Sequence, residues 1–476
     1  MTTKAPVRVP WREIFVLGAY AAATLILTLA HEPWRDEADA WLAARDLPLS
    51  GVFSWTRNAG TPFLWYLVLL PFARGGMPYA SMAIVHWVIA IAAAAVFLRA
   101  APWSLPRKAL FLFSFYPLYH YAAIARSYSL GILLTFAALA LHQRRHERLV
   151  AYAACIALLF NTNIHSAGPA GALTLMFFVE VLRAHRRSLR HWMALLVMGS
   201  GLLLAFVQLY TPGPLVPQNV TVAPPEYSLF FESIAAAFVP GAEGTLVRSW
   251  ALALLVAVAA SVRRNATALA MLTITIGLLA FLFTHVWLGG YRHYGLMLIA
   301  VVAALWLGSD SRSRARPAVT AMLGISLLLS LPAGYRAVRD ELTKSYSGAG
   351  EMARYIDSHG LAGRVIAAHP PAQTEAVLAH LPPRQFRYAA LGRDGSYLQW
   401  DVANRKATAR SANVAAEAAV KQLGPGRWLF LSAVQPLTAP ERHGLTLLYA
   451  TTGPLITPRD ASRIPNDERY WLYEHR

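Results

Sequence analysis

The stretch His31 to Asp46, HEPWRDEADAWLAARD, carries five carboxylates (Glu32, Asp36, Glu37, Asp39 and Asp46) directly after the first long apolar segment of the chain. Acids beside an apolar span are costly unless they stay in water or hold a ligand. The tandem pair Asp36-Glu37, flanked by Trp34 and Trp41, is therefore the first place to look for chemistry. Neighbours on a helix point about 100° apart, so the two acids are expected to differ in role. One accepts a proton while the other binds a metal or holds the first in place. The plainer reading is a solvated loop with an Arg35–Asp39 pair one helical turn apart.

Three further constellations have the right residue types for a charged ligand. Arg126, in Ala125-Arg126-Ser127-Tyr128, is the lone basic residue between two apolar runs. Such a guanidinium either snorkels or grips a phosphate through paired hydrogen bonds. Arg292 lies between Tyr291 and His293 in the segment GGYRHY, which opens another apolar run. A helix N-terminus there adds about half a positive charge, so Arg292 is a second candidate phosphate ligand, with Tyr291 and His293 beside it. The segment NTNIHS supplies Asn161, Asn163 and His165. His165 with His31 and Glu37 makes a candidate divalent-metal set, against the plainer reading of a packed, hydrogen-bonded histidine. No dedicated metal-ligand spacing is present. The sequence also lacks a P-loop, a dinucleotide fingerprint and a nucleophile elbow, which leaves a nucleotide-driven pump or a serine hydrolase without support.

The elements that must position these residues are mostly apolar. Of 476 residues, 56% are hydrophobic and only 14% charged, against about 25% charged in soluble domains; the mean hydropathy is +0.40. This is the composition of a polytopic membrane protein. The net charge of +18 sits in short clusters between apolar runs, as in cytoplasmic loops beside anionic lipid, so membrane lipids rather than nucleic acid are the expected partners. Cys155 is the single cysteine, and no intrachain disulfide can form.

A span needs roughly 20 apolar residues. The runs that qualify are 12–30, 79–98, 109–124, 128–142, 149–164, 166–182, 191–210, 246–262, 266–286, 290–308 and 317–335. The first reads as an uncleaved span rather than a signal peptide. Pro62–Phe72 is short and contains Pro71. Treating it as interfacial puts every basic cluster on the cytoplasmic side. The result is about eleven spans, a cytoplasmic N-terminus, and an external loop 31–78 with helices near 36–45 and 62–73. Trp34, Trp41, Trp55, Trp65 and Tyr66 of that loop suit headgroup level. A second external loop, 211–245, is rich in proline and ends in an amphipathic segment at Leu229–Phe238. The first domain is thus 1–336. From 337 to 476 charges and Pro/Gly rise, and helix and strand patterns alternate. Strands are expected at Val365–Ala368, Phe386–Ala390, Trp428–Val434, Thr446–Ala450 and Tyr470–Tyr473, and helices at Glu351–Ser358, Gln373–Leu381 and Asn413–Leu423. This is a small external α/β domain.

The first span followed by Trp34-Arg35-Asp36-Glu37 resembles the GT-C superfamily of polytopic glycosyltransferases, in particular its protein O-mannosyltransferase and lipid A aminoarabinose transferase branches. The loop helix TPFLWYLVLLPF, the turn FYPLYHYAAIARSYSLGILL, the late Tyr-Arg-His-Tyr before a span and the external C-terminal domain add to the resemblance. It implies an inverting transferase at the periplasmic face of a bacterial cytoplasmic membrane. Its donor partner would be a polyprenyl-phosphate sugar and its acceptor a glycan, a lipid or a protein. By the same resemblance Asp36 deprotonates the acceptor hydroxyl, and Glu37 orients it or holds a divalent metal. Arg126 and Arg292 bind the departing lipid phosphate. Burial near the apolar boundary is expected to raise the pKa of the base. Two rival readings stand beside this one. A transporter or flippase of a lipid-linked sugar would use the acidic loop as a gate, although inverted repeats and broken midplane helices are not seen. A non-catalytic assembly factor would bind its partner through the C-terminal domain.

Overall fold

The first apolar run winds into α1 (Trp11–Ala30), and the chain becomes extended at His31. Three short helices follow: α2 (Arg35–Asp46), α3 (Leu49–Ala59) and α4 (Leu64–Arg74). α2 begins at an extended Trp34, whose backbone N–H donates to the Glu37 carboxylate one turn on (3.3 Å). Asp36 and Glu37 occupy its first turn and Arg45 its last, each at the end of the helix dipole that favours its charge. The computed structural model describes residues 10–210, 227–286, 289–310, 316–399, 401–456 and 468–476. The prolines of the second loop, at 212–225, lie outside these residues.

Eleven more helices complete the apolar part. They are α5 (Ser81–Ala100), α6 (Leu105–Leu112), α7 (Tyr128–His142), α8 (Leu149–Phe160), α9 (Ala167–Ala184), α10 (Leu189–Leu209), α11 (Tyr227–Phe238), α12 (Thr245–Val262), α13 (Ala266–Phe281), α14 (Tyr291–Leu307) and α15 (Arg316–Thr343). Seven described helical segments are long and apolar enough to cross a membrane: Trp11–Ala30, Ser81–Ala100, Ile164–Ala184, Leu189–Leu209, Thr245–Val262, Ala266–Val286 and Arg316–Thr343. α7, α8 and α14 are apolar but shorter. Large apolar side chains such as Phe15, Leu29, Leu196, Leu203, Phe206 and Val256 point outward from these helices, an exposed apolar shell that suits lipid. The chain is thus a polytopic, membrane-embedded helical protein with a small sheet domain.

The run 109–124 is not one helix. α6 stops at Leu112, and a wide turn at Tyr116–His120 follows, containing Pro117. Proline cannot donate to a helix ladder, and its carbonyl instead accepts from Tyr20 Oη (2.6 Å).

The composition change near 336 falls inside a helix, because α15 continues to Thr343. After it come α16 (Ala349–Ser358), α17 (Pro371–His380), α18 (Val402–Thr408) and α19 (Ala412–Leu423). The strands are β1 (Ile366–His369), β2 (Phe386–Tyr388), β3 (Arg393–Gly395), β4 (Trp428–Ala433), β5 (Leu445–Ala450) and β6 (Tyr470–His475). They form one mixed sheet in the order β3-β2-β1-β4-β6-β5, with β1 parallel to β2 and β4 and the other pairs antiparallel. α18 and β3 are additions to the expected elements.

One face of the sheet packs on α19 through Ala415, Ala419, Trp428 and Phe430. The other joins α2 and α4 in a single buried cluster containing Trp41, Trp65, Leu69, Met352, Leu378 and Leu429. Trp55 Nε1 also donates to the carbonyl of Leu398 (2.7 Å). The aromatic residues expected at headgroup level (Trp34, Trp41, Trp55, Trp65 and Tyr66) are therefore all buried. The reason is the C-terminal domain, which covers the acidic helix.

Candidate functional site

The first turn of α2 presents Asp36 to three guanidinium groups. Arg292 Nη2 donates to Asp36 Oδ2 at 2.7 Å. Arg126 Nη1 donates to the Asp36 backbone carbonyl and lies 3.9 Å from Oδ2, and Arg35 Nε lies 3.7 Å from Oδ1. The Arg35 and Arg292 guanidinium carbons stand 5.5 and 5.3 Å from the Trp34 ring centre, within cation–π range. The site keeps some contact with solvent, the Asp36 and Arg126 side chains being 19% and 20% exposed. Burial pushes the Asp36 pKa up, but Arg126, Arg292 and Arg35 together outweigh it, and the net shift is downward. This corrects the expectation of a raised pKa: desolvation is present, and three cations overcome it.

Local structure fixes the position of Arg292. Gly289 turns the chain with φ +72°, and a Cβ there would sit 3.1 Å from the Phe283 and Tyr294 rings, so only glycine fits. The Gly290 N–H then donates to His293 Nδ1 (2.9 Å), which leaves the proton on Nε2 to be donated to Tyr128 Oη (2.6 Å). Tyr121 Oη donates to the Arg292 carbonyl (2.8 Å). His293 is buried with both ring nitrogens engaged; it starts α14 and aims Arg292 rather than binding a phosphate itself. Tyr291 packs edge-on to Phe115 (5.9 Å) and over His120 (6.4 Å).

Glu37 faces the other way and is fully buried. Its Oε1 accepts from the Ala125 N–H (2.7 Å), and its Oε2 meets His31 Nε2 (2.9 Å). His31 Nδ1 bonds Glu341 Oε1 (2.8 Å), and Tyr119 Oη donates to Glu341 Oε2 (2.5 Å). Burial opposes the charge on His31, yet Glu37 and Glu341 prevail and hold its pKa well above the usual imidazole value. A protonated ring between two carboxylates has no lone pair for a metal.

His165 is not part of this group: its ring lies against His293 (5.1 Å) and Tyr128 (6.0 Å). Among the described residues, the three-member group close enough to share an ion is His146, His185 and His191. The set His31, Glu37 and His165 therefore does not fit a metal ion. Asn161 and Asn163 are also structural. Asn161 donates to the Gly201 carbonyl (2.9 Å), and Asn163 Oδ1 accepts from the Ser166 N–H (3.0 Å).

The C-terminal domain adds acids that no pattern in the sequence marks. Glu468 Oε1 accepts from the Arg35 N–H (3.2 Å), and burial pushes its pKa up to about 7. Glu375 on α17 accepts from the Leu398 N–H (3.1 Å). Burial, together with the nearby Asp39 and Asp36, raises its pKa well above the carboxylate range. Asp39 is itself buried on α2, so the site is wider than the Asp36-Glu37 pair.

A narrow apolar crevice of about 20 Å³ lies between α7, α13 and α14. It is lined by Gly131 and Thr135 of α7, Leu296 and Ala303 of α14, and Met271 of α13, with Tyr128 among its lining residues. Arg126 lies two residues before the start of α7, and Arg292 lies in the first turn of α14. The cationic cluster thus sits where two crevice-lining helices begin. This arrangement can hold an anionic group at the arginines and a proton acceptor at Asp36. No protein-family model matches the chain, and no match is found among curated proteins or solved structures.

Proposed function

We propose that the protein is an inverting glycosyltransferase that moves a sugar from a polyprenyl-phosphate carrier to an acceptor hydroxyl. The observation that carries this reading is the meeting of Asp36 with Arg126 and Arg292, residues 90 and 256 positions away in the chain. In the transfer step the acceptor oxygen attacks the anomeric carbon as its proton passes to Asp36. The bond from that carbon to the phosphate oxygen breaks, and its electron pair leaves with the lipid phosphate. Arg126 and Arg292 neutralise that charge.

The lowered Asp36 pKa fits a resting state in which the arginines guard the base. An arriving phosphate competes for the same guanidinium groups. As they turn toward it, Asp36 loses the charges that hold its pKa down and becomes a stronger base with donor bound. The positions of the basic clusters support a GT-C-like arrangement of about eleven spans, with the C-terminal domain on the periplasmic side of a bacterial inner membrane.

The test uses purified protein in detergent, a panel of polyprenyl-phosphate sugars, and membrane extract as acceptor. Release of free polyprenyl phosphate by the wild type, absent from Asp36→Asn, is the expected result, and the active donor names the sugar. No release from any donor, with cooperative unfolding verified, rejects the transferase reading.

A further inference from the structure

We propose that His146, His185 and His191 form a binding site for a divalent transition-metal ion of the Zn²⁺ type. The site lies at the far end of α7 from Arg126 and rests on none of the chemistry assigned to Asp36. α7 has 15 residues, so it carries the chain about 22 Å away from Arg126. His146 then sits in the turn before α8, His185 caps α9, and His191 lies in the first turn of α10.

One ring nitrogen from each histidine lies within 4.8 Å of the others. His146 Nδ1 and His191 Nε2 are 3.1 Å apart, close to the roughly 3.3 Å between two nitrogens on one tetrahedral Zn²⁺ with bonds of about 2.0–2.1 Å. The His185 ring stacks on His191 with centroids 4.1 Å apart and planes 2° from parallel, so His185 must turn about its side-chain bonds to bring its lone pair to an ion held by His146 and His191.

The outward nitrogens provide the second, independent observation. His146 Nε2 meets Glu180 Oε1 (3.0 Å), and Glu180 is clamped by Arg145 Nε and Nη2 (2.8 and 2.7 Å). His191 Nδ1 meets Ser188 Oγ (2.7 Å). An ionised carboxylate only accepts, so His146 donates through Nε2, and in its neutral form turns the Nδ1 lone pair toward His191. A carboxylate or hydroxyl on the outer nitrogen is how metal-ligating histidines are oriented. The gap between the two inward nitrogens takes either one proton or one metal ion.

Arg144, Arg148, Arg183, Arg186 and Arg187 flank these histidines in the sequence and make the two turns strongly basic. They repel hard cations, which require several anionic oxygens. Three imidazoles instead select a late first-row ion. The His146 side chain is 34% exposed, which leaves an entry path and an open coordination position. A bound ion would tie the α7–α8 turn to the α9–α10 turn.

The test strips tag-free full-length protein with a chelator and titrates it with Co²⁺, following the visible absorption of nitrogen-ligated tetrahedral Co²⁺, then competes with Zn²⁺. One ion per chain is expected. Affinity should fall at least about 100-fold in His146→Ala and His191→Ala, and about 10- to 100-fold in Glu180→Gln. Unfolding in chelator, compared across the variants, checks that each folds. Zn²⁺ should raise the melting temperature of the wild type alone. A wild type that takes up no stoichiometric Co²⁺ or Zn²⁺ holds a proton-bridged triad only, which overturns the proposal without reliance on any variant. Binding that persists unchanged in His146→Ala and His191→Ala overturns it equally.

Discussion

On one side of α2, His31, Glu37, Glu341 and Tyr119 form a chain in which the ring nitrogens and carboxylate oxygens are bonded and the His31, Glu37 and Glu341 side chains have no exposure. On the other side Asp36 faces Arg35, Arg126 and Arg292, with side-chain exposures of 14–22%. Both regions are built from ion pairs, and both join segments far apart in the chain. They differ in balance. The Glu37 side sets two carboxylates against one imidazolium and a phenol, with backbone donors filling the remaining lone pairs. The Asp36 side sets three cations against one carboxylate. A closed, saturated network has no capacity for a ligand, whereas an open one with surplus positive charge does. Adjacent acids on one helix therefore separate into a positioning residue, Glu37, and a candidate catalytic residue, Asp36.

The sharpest way to break this comparison is to exchange the two losses. Asp36→Asn should lower the transfer rate by up to about 10⁴-fold, the upper range for removal of a general base, with only about 1 kcal/mol of stability lost at a partly solvated pair. Glu37→Ala should do the opposite. It leaves a buried imidazolium short of one partner, and breaking a buried pair costs about 3–5 kcal/mol, read as a large fall in melting temperature. If Glu37→Ala melts like the wild type, or Asp36→Asn turns over normally, the division between the two sides of the helix is wrong.

Glu468 tests the roof over the open side. Its folded-state pKa of about 7 lies above the ordinary glutamate value of about 4.3, so the fold prefers the protonated form. That stabilisation is complete below the ordinary value and is lost as pH rises through about 7. The wild type should lose about 3 kcal/mol of stability between pH 4.5 and 8 from this group, since each pH unit of pKa difference is about 1.4 kcal/mol. Glu468→Gln keeps a neutral acceptor for the Arg35 N–H and should flatten that dependence, measured by unfolding across the same range.

Much of the frame was legible because burial in lipid imposes long apolar runs. Seven described helical segments meet the length and composition for spanning, and the strands beginning near 365, 386, 428, 446 and 470 appear within a residue or two of their expected starts. The domain boundary was less legible, since the apolar run ends near 335 while α15 continues to Thr343. That extension is what delivers Glu341 to His31. Asp36, Arg126 and Arg292 could be picked out because charge is scarce in apolar surroundings. Glu375 and Glu468 could not, because acids are ordinary in a polar domain and only tertiary packing shows that these two are buried over α2. The direction of the Asp36 pKa shift was misjudged for a related reason: burial can be inferred from one segment, whereas the guanidinium groups that outweigh it come from three.

The smallest expected effect, and the most specific, is that of Arg292→Lys. Lysine keeps the charge but loses the fork that lets one side chain hold Asp36 and a phosphate oxygen together. It also loses much of the planar stacking against Trp34, where the guanidinium now stands 5.3 Å from the ring centre. Donor binding should weaken by about tenfold, or about 1.4 kcal/mol, the order of one charge-assisted hydrogen bond. The loss should appear in KM for the polyprenyl-phosphate donor more than in kcat. Arg292→Ala goes further by removing one of the charges that hold the Asp36 pKa down. The acid limb of kcat/KM should then move toward higher pH, because Asp36 must be ionised to accept the proton and now binds one more readily. A KM unchanged in Arg292→Lys, with an acid limb unmoved in Arg292→Ala, would mean that this arginine only braces α2, and the open side of the helix would have to be read as a second closed one.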